Sequence, residues 1–176
     1  MRIAGTVGDS IVDGPGLRFA VFVQGCSHHC PGCQNPHTHD PAGGHEVDPE
    51  SLFSMLDDPL LDGLTLSGGE PLEQPEACTE LARAARERGL NVWVYTGYTF
   101  ETLLDQADPA RLELLRSADV LVDGPFLLEE RSLDVPWRGS RNQRLLDLPQ
   151  SLERGCAVLW VDPRVDRLAQ FTPPDT

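Results

Sequence analysis

The chain contains no lysine, and all 14 of its basic Lys and Arg positions are arginines, set against 28 Asp and Glu residues. Its formal net charge is −14. Nonspecific nucleic-acid binding needs a basic surface, so this balance argues against a nucleic-acid partner. We attribute the missing lysine itself to codon bias in a GC-rich genome.

Long apolar runs are also missing. No stretch approaches the roughly 20 apolar residues that span a bilayer. The N-terminal segment Met1–Gly5 lacks the apolar stretch and cleavage site of a signal peptide. With 176 residues, of which 40% are hydrophobic, the chain is long enough to bury a core. We therefore expect a single domain over residues 1–176 that is cytoplasmic and has no membrane partner.

Five cysteines are present, and an odd total argues against a disulfide framework. Cys78 and Cys156 belong to apolar segments and are interpreted as core residues. The other three, Cys26, Cys30 and Cys33, have C-x₃-C-x₂-C spacing. Three thiolates can ligate three irons of a 4Fe–4S cluster and leave the fourth iron open. Because catalytic metal sites keep an open position, this spacing predicts an enzyme.

The histidines offer an alternative to iron. All five lie in or just after the cysteine loop: His28, His29, His37, His39 and His45. A Cys₃His zinc site is therefore compatible with the composition of the loop. Such a site would make the chain a non-enzymatic zinc-binding interaction module, and the loop alone leaves both metals open.

Apolar strand-like segments alternate with helical ones along the chain. The predicted strands are Leu17–Val23, Leu64–Leu66, Asn91–Tyr95, Asp119–Val122 and Ala157–Val161, and the predicted helices are Pro49–Leu56, Pro75–Arg88 and Phe100–Ser117. This alternation predicts an α/β fold with a mostly parallel sheet. A complete eight-unit barrel typically needs about 250 residues, so we expect a partial, open (β/α) barrel.

Polar or glycine-rich segments follow several of these strands. They are the cysteine loop, Ser67–Pro71, Thr96-Gly97 and Asp123-Gly124. Ligands of parallel α/β folds bind beyond the carboxyl ends of the strands, so we expect these segments to converge on one site. The glycines permit close backbone approach to a ligand, and Glu70 can accept a hydrogen bond from an ammonium group. An ordinary turn is the alternative interpretation of Gly68-Gly69.

Together, the cysteine loop and Gly68-Gly69-Glu70 resemble the radical S-adenosylmethionine enzymes. The resemblance implies a barrel of the radical-SAM type and a 4Fe–4S cluster held by Cys26, Cys30 and Cys33. It further implies that S-adenosylmethionine binds the open iron and is cleaved reductively to methionine and a 5′-deoxyadenosyl radical. In such enzymes the cofactor supplies the difficult chemistry, and the protein positions and shields it.

Two further segments narrow the resemblance. Asp13-Gly14-Pro15-Gly16-Leu17-Arg18 is similar to the DGPGxR segment of the activases of glycyl-radical enzymes. Cys30–Pro36 and Arg138–Arg144 are similar to the subgroup that activates anaerobic ribonucleoside-triphosphate reductase. The implied partners are the glycyl-radical subunit of that reductase and, as electron donor, reduced flavodoxin or ferredoxin. Activation of a different glycyl-radical enzyme is the nearer alternative.

The same resemblance implies roles for individual residues. Those assigned to S-adenosylmethionine are Gly32, Ser67, Gly68, Gly69, Glu70, Thr96, Asp123 and Arg138. A structural turn role is the alternative for Thr96 and Asp123, and a contact with the partner surface or a solvated loop is the alternative for Arg138. Asp13 and Arg18 are expected to position the glycyl loop of the partner, with a plain Gly-Pro-Gly turn as the alternative. Gln34 and Arg141 depart from the subgroup pattern, and the resemblance assigns neither a role.

Overall fold

The computed structural model describes residues 1–163; residues 164–176, which the expected domain includes, lie outside that range. Seven strands form one open sheet in the order β3-β1-β2-β4-β5-β6-β7. The strands are β1 (Arg2–Ser10), β2 (Arg18–Val23), β3 (His45–Glu46), β4 (Gly63–Gly68), β5 (Asn91–Tyr95), β6 (Val120–Asp123) and β7 (Arg144–Asp147). The α-helices are α1 (Pro75–Glu87), α2 (Phe100–Gln106), α3 (Pro109–Arg116) and α4 (Leu148–Arg154). Short 3₁₀ helices cover Pro36–Thr38, Pro49–Asp57, Pro71–Glu73 and Leu128–Glu130.

The predicted α/β class is confirmed, but the sheet is mixed rather than mostly parallel. Its centre, β2-β4-β5-β6, is parallel. The three remaining pairings, of β1 with β2, β1 with β3 and β6 with β7, are antiparallel. β1 returns to β2 through residues 11–17, and so short a connection can join only antiparallel neighbours. β7 follows β6 through the irregular segment 124–143 instead of a crossover helix.

The two faces of the sheet differ in character. Side chains alternate between faces along each strand. On one face, Phe19, Val21 and Leu64 pack in a core that includes residues of α1 and α3. On the other face, the Arg18 guanidinium carbon lies 5.4 Å from the centroid of the Trp93 ring. Among residues 1–163, none of the helices combines the length and apolar character needed to cross a bilayer.

α1 forms where Pro75 opens the helix and an apolar stripe faces the core. Cys78, Leu81, Ala82 and Ala85 are all buried on that stripe. The predicted core position of Cys78 is thus confirmed, and burial raises the pKa of its thiol to about 12. A thiol in that state is protonated at neutral pH and is a poor metal ligand.

The core position predicted for Cys156 is wrong, because this residue is exposed. The strand predicted over Ala157–Val161 does not form; only an isolated bridge joins Leu159 to Leu146 of β7. Leu159 and Val161 remain 65% and 68% exposed. The apolar composition of this segment therefore does not correspond to burial.

The helix predicted over Phe100–Ser117 is divided. Ala107 adopts a left-handed conformation with φ of 49° and ends α2. Asp108 then caps α3 by accepting hydrogen bonds from the amides of Ala110 and Arg111. An Asp cap followed by proline is a recognised helix start, and this signal inside the predicted helix marks the break.

Candidate metal and cofactor site

The four segments that follow β2, β4, β5 and β6 meet at one edge of the sheet. A single cavity there is lined by residues from each of them, including Cys26, Glu70, Thr96 and Gly124. Nine of the sequence-predicted site residues line it: Asp13, Cys26, Cys30, Cys33, Ser67, Gly68, Gly69, Glu70 and Thr96. The parallel centre of the sheet brings these segments together, because parallel strands end at the same edge.

The cysteine loop leaves β2 through a backbone connection to the following 3₁₀ helix. The Gly25 amide donates to the Thr38 carbonyl at 2.8 Å, and the Cys26 amide donates to the His39 carbonyl at 3.2 Å. Further along, the Cys33 amide donates to the Cys30 carbonyl at 3.1 Å. Backbone hydrogen bonds therefore restrain the loop both at its start and between its last two cysteines.

All three loop cysteines are free thiols of intermediate exposure. Burial raises the pKa of the Cys26 thiol, so metal binding there must displace a more tightly held proton. The Asn35 amide donates to Cys33 Sγ at 3.3 Å. Hydrogen bonds to cysteine sulfur are one of the means by which proteins set the potential of an iron–sulfur cluster.

The three thiols of the loop supply the kind of donor that ligates a 4Fe–4S cluster. Within residues 1–163, no three His, Cys, Asp or Glu side chains converge closely enough to hold one metal ion. The nearest histidine rings are engaged elsewhere: His28 contacts Glu70, and His29 packs against His39. Thiolates spread along one loop match a group in which each iron takes its own cysteine.

The glycine-rich turn packs backbone to backbone against the start of the cysteine loop. Gly68 has φ of +96°, and a Cβ there would lie 2.6 Å from Phe22 Cα. A Cβ on Gly69 would collide with the Gly25 carbonyl. The Gly69 amide donates to the Val23 carbonyl at 2.8 Å. This segment is thus a turn, but one whose glycines are required by close backbone contact with the end of β2 and with Gly25, which precedes Cys26.

Glu70 joins three of the strand-end loops. Its side chain is only 1% exposed, and Oε2 accepts from Thr96 Oγ1 at 3.0 Å and from the Gly97 amide at 2.9 Å. The same oxygen lies 2.9 Å from His28 Nε2, and this hydrogen bond raises the pKa of His28. The other oxygen accepts from the Leu72 amide at 3.0 Å. Four donors therefore surround this carboxylate.

Arg18 lies away from the cavity, at the amino end of β2. It is 1% exposed, and burial lowers its pKa to about 10. The guanidinium donates to Thr65 Oγ1 and the Leu64 carbonyl, both at 2.6 Å, and to the Asn91 carbonyl at 3.0 Å. These contacts join β2, β4 and β5 near their amino ends, away from the cavity.

Three other predicted residues also lie beside the cavity rather than on its wall. Asp123 accepts hydrogen bonds from Arg144 and from the Phe100 amide, and its neighbour Gly124 lines the cavity. Arg138 donates to the Gln143 carbonyl at 3.3 Å. A Cβ on Gly32 would face Leu128.

Several lining residues were not identified from the sequence. Tyr95 and Phe126 line the cavity, as does Gln143. Gln143 holds the segment 124–143 closed, since its side chain accepts from the Gly139 amide at 2.8 Å and donates to the Gly124 carbonyl at 3.1 Å. Gln34 lines the cavity as well, close to Gly139. The position of Tyr95 at the carboxyl end of a predicted strand was a usable signal; Phe126 offered none.

Fold and site together define an α/β protein whose central parallel strands present a three-cysteine loop beside a cavity. A family model described as a 4Fe–4S single cluster domain matches residues 12–146. Curated relatives are named anaerobic ribonucleoside-triphosphate reductase-activating protein. That of Vibrio cholerae is 37% identical over 142 residues, covering 76% of this chain and 89% of the relative. That of Escherichia coli is 36% identical over 142 residues, covering 76% and 90%. The chain belongs to this family of reductase-activating proteins.

Proposed function

We propose that the chain is an activase of anaerobic ribonucleoside-triphosphate reductase that acts through a 4Fe–4S cluster and S-adenosylmethionine. The observation that carries the proposal is the cavity in which three free thiols, the glycine-rich turn and Glu70 meet. The names of the relatives indicate the protein that is activated.

A cluster held by this loop would supply one-electron reduction of S-adenosylmethionine, whose cleavage to methionine and a 5′-deoxyadenosyl radical would allow removal of a hydrogen atom from a glycine of the reductase. Cys26, Cys30 and Cys33 would ligate three irons, leaving one position for the methionine amino and carboxylate groups. Carbonyl oxygens of the glycine-rich turn would accept from the amino group. Tyr95 and Phe126, on the cavity wall, would exclude water from the site.

The remaining expectations belong to the same proposal. A reduced flavodoxin or ferredoxin would supply the electron, and the parallel strands would form part of a barrel of the radical-SAM type. Asp13 lines the cavity and would contact the glycine-bearing loop of the reductase. Arg138 would stabilise the cofactor from beside the cavity, and Thr96 would do so from the cavity wall, where it also bonds to Glu70.

The decisive experiment is anaerobic reconstitution with iron and sulfide, reduction in the presence of S-adenosylmethionine, and quantification of 5′-deoxyadenosine. The wild type should form it, and Cys30→Ala should not. Cys156→Ala is the matched control, because that cysteine is exposed and outside the loop. A colourless protein that takes up only zinc would overturn the proposal.

The recipient of the radical is tested separately. The reconstituted activase is mixed with purified anaerobic ribonucleoside-triphosphate reductase, and the glycyl radical is measured by electron paramagnetic resonance. Formation of 5′-deoxyadenosine without a glycyl radical on this reductase would indicate a different glycyl-radical enzyme as the partner.

A further inference from the structure

The three residues between Cys26 and Cys30 include a strained backbone position. His29 has φ of +47°, in the left-handed region. That conformation is unfavourable for a non-glycine residue, and it persists only where the surroundings impose it. Because His29 directly precedes Cys30, its backbone sets the direction in which this ligand leaves the loop.

The neighbouring side chain, His28, is held from two directions. Its Nε2 lies 2.9 Å from Glu70 Oε2, and its ring meets the Tyr98 ring at a centroid distance of 4.5 Å and an angle of 70°. The Arg111 guanidinium carbon lies 4.7 Å from the Tyr98 ring. His28 therefore sits between a buried carboxylate and an aromatic ring that is itself fixed by an arginine of α3.

Its anchor is rigid. Glu70 is 1% exposed and also binds Thr96 and the Gly97 amide, so the carboxylate cannot follow a moving loop. A side chain bonded to such an anchor loses its own freedom and transfers that restraint to its main chain. Here the restrained main chain is the insert, residues 27–29, between Cys26 and Cys30.

A second contact acts on the strained residue itself. The His29 ring meets the His39 ring at 5.2 Å and 89°. The His39 carbonyl also accepts from the Cys26 amide. The insert is thus fixed at both of its histidines, which accounts for the persistence of the left-handed backbone at His29.

We propose that His28 is a positioning residue for the cluster: by bonding to Glu70 it holds the insert between Cys26 and Cys30 in one conformation, so that the three thiols keep their spacing. The inference rests on the proposed function, since the group positioned is the 4Fe–4S cluster. It assigns His28 no bond to iron and no proton transfer. Removal of groups that hydrogen-bond directly to metal ligands typically changes metal affinity by 10- to 100-fold, and we expect a restraint on the ligand-bearing main chain to act in the same direction.

The test measures iron release, not activity. Wild type, His28→Ala and His28→Gln are reconstituted anaerobically, and the rate of iron loss to excess chelator is followed by absorbance without S-adenosylmethionine. His28→Ala should lose iron on the order of tenfold faster or more, with an altered electron paramagnetic resonance spectrum of the reduced cluster. His28→Gln retains a side-chain donor toward Glu70 and should recover most of the wild-type rate.

The matched control is His45→Ala, an exposed histidine of the edge strand β3, which should release iron at the wild-type rate. Iron release from His28→Ala at the wild-type rate would overturn the positioning role and leave the proposed function intact. Equally fast release from His28→Gln and His28→Ala would also overturn it, because the bond to Glu70 would then not be the cause. A wild type that takes up no cluster would overturn both proposals.

Discussion

Arg144 donates hydrogen bonds to both carboxylate oxygens of Asp123. Its Nε donates to Oδ1 at 2.9 Å, and a terminal nitrogen donates to Oδ2. The same Oδ2 accepts from the Phe100 amide at 2.8 Å, at the first residue of α2. Asp123 is 1% exposed, so this pair joins the end of β6, the start of β7 and the start of α2. A bidentate arginine–carboxylate pair is among the stronger hydrogen-bonded contacts in proteins.

Asp123→Ala should destabilise the fold by about 3 kcal/mol, because it leaves the Phe100 amide without its acceptor and removes the buried carboxylate partner of Arg144. The free energy of unfolding of the apoprotein in urea measures this loss. Asp123→Asn keeps the size of the side chain and one acceptor oxygen. Its free energy of unfolding should lie between those of the wild type and of Asp123→Ala. An Asp123→Asn protein of wild-type stability that bound S-adenosylmethionine poorly would instead support the cofactor contact expected from the sequence.

Arg144 also donates to Glu101, at 3.1 and 2.7 Å. This hydrogen bond lowers the pKa of Glu101. A carboxylate with a lowered folded-state pKa adds stability above its unfolded pKa and loses that stability as pH falls through the folded value. The side chain is 54% exposed, so we expect less than about 1 kcal/mol.

The substitution Glu101→Gln should therefore reduce the free energy of unfolding at pH 7 but have a smaller effect below about pH 4. The measurement is urea unfolding of the wild type and of Glu101→Gln, each at pH 7 and at a pH below about 4. An equal difference at both values would show that the charge of Glu101 contributes nothing.

The hydrogen bonds of Arg18 connect neighbouring strands of the sheet and so contribute to the stability of the fold. Its guanidinium also donates to the Pro15 carbonyl at 3.2 Å, and the planar fork reaches acceptors in several directions. A lysine ammonium cannot reproduce this geometry. Arg18→Lys should therefore cost about 2 to 3 kcal/mol of unfolding free energy, since buried carbonyls lose their donors.

Urea unfolding of the apoprotein tests Arg18→Lys, with Arg154→Lys as the control. Arg154 is exposed, and its replacement should change stability by less than about 0.5 kcal/mol. A stable Arg18→Lys protein that no longer activated the reductase would support the partner-positioning role expected from the sequence.

Local signals were sufficient for several elements. β5 was predicted with its observed bounds, Asn91–Tyr95, because a short apolar run lies between a helix end and a polar turn. α1 ends one residue before its predicted end, since Pro75 and Gly89 mark its limits. The cysteine loop was correctly expected to follow the strand that is β2.

Long-range contacts explain what could not be predicted. β1 has a largely exposed surface with no regular alternation, and β7 is short, so neither carries a strand pattern. The bond of Asp123 to Arg144 joins residues 21 positions apart in sequence, so no local signal predicts it. The acceptors of Arg18 become visible only once β2, β4 and β5 lie side by side.

Replacement of Gly32 tests how tightly the cysteine loop packs against the segment that follows β6. Its φ is +72°, and a Cβ would lie 2.8 Å from Leu128 Cδ1. Gly32→Ala therefore combines a backbone cost of about 1 kcal/mol with a steric one. We expect a total loss of about 1 to 2 kcal/mol in urea unfolding of the apoprotein.

Gly89→Ala separates the two contributions. Gly89 has φ of +77°, and a Cβ there would meet nothing within 4 Å, so its replacement measures the backbone cost alone. The excess cost at Gly32 should disappear when Leu128→Ala is added, because the double substitution removes the collision. A Gly32→Ala protein no less stable than Gly89→Ala would show that Leu128, which is 50% exposed, moves aside freely and does not pack on the loop.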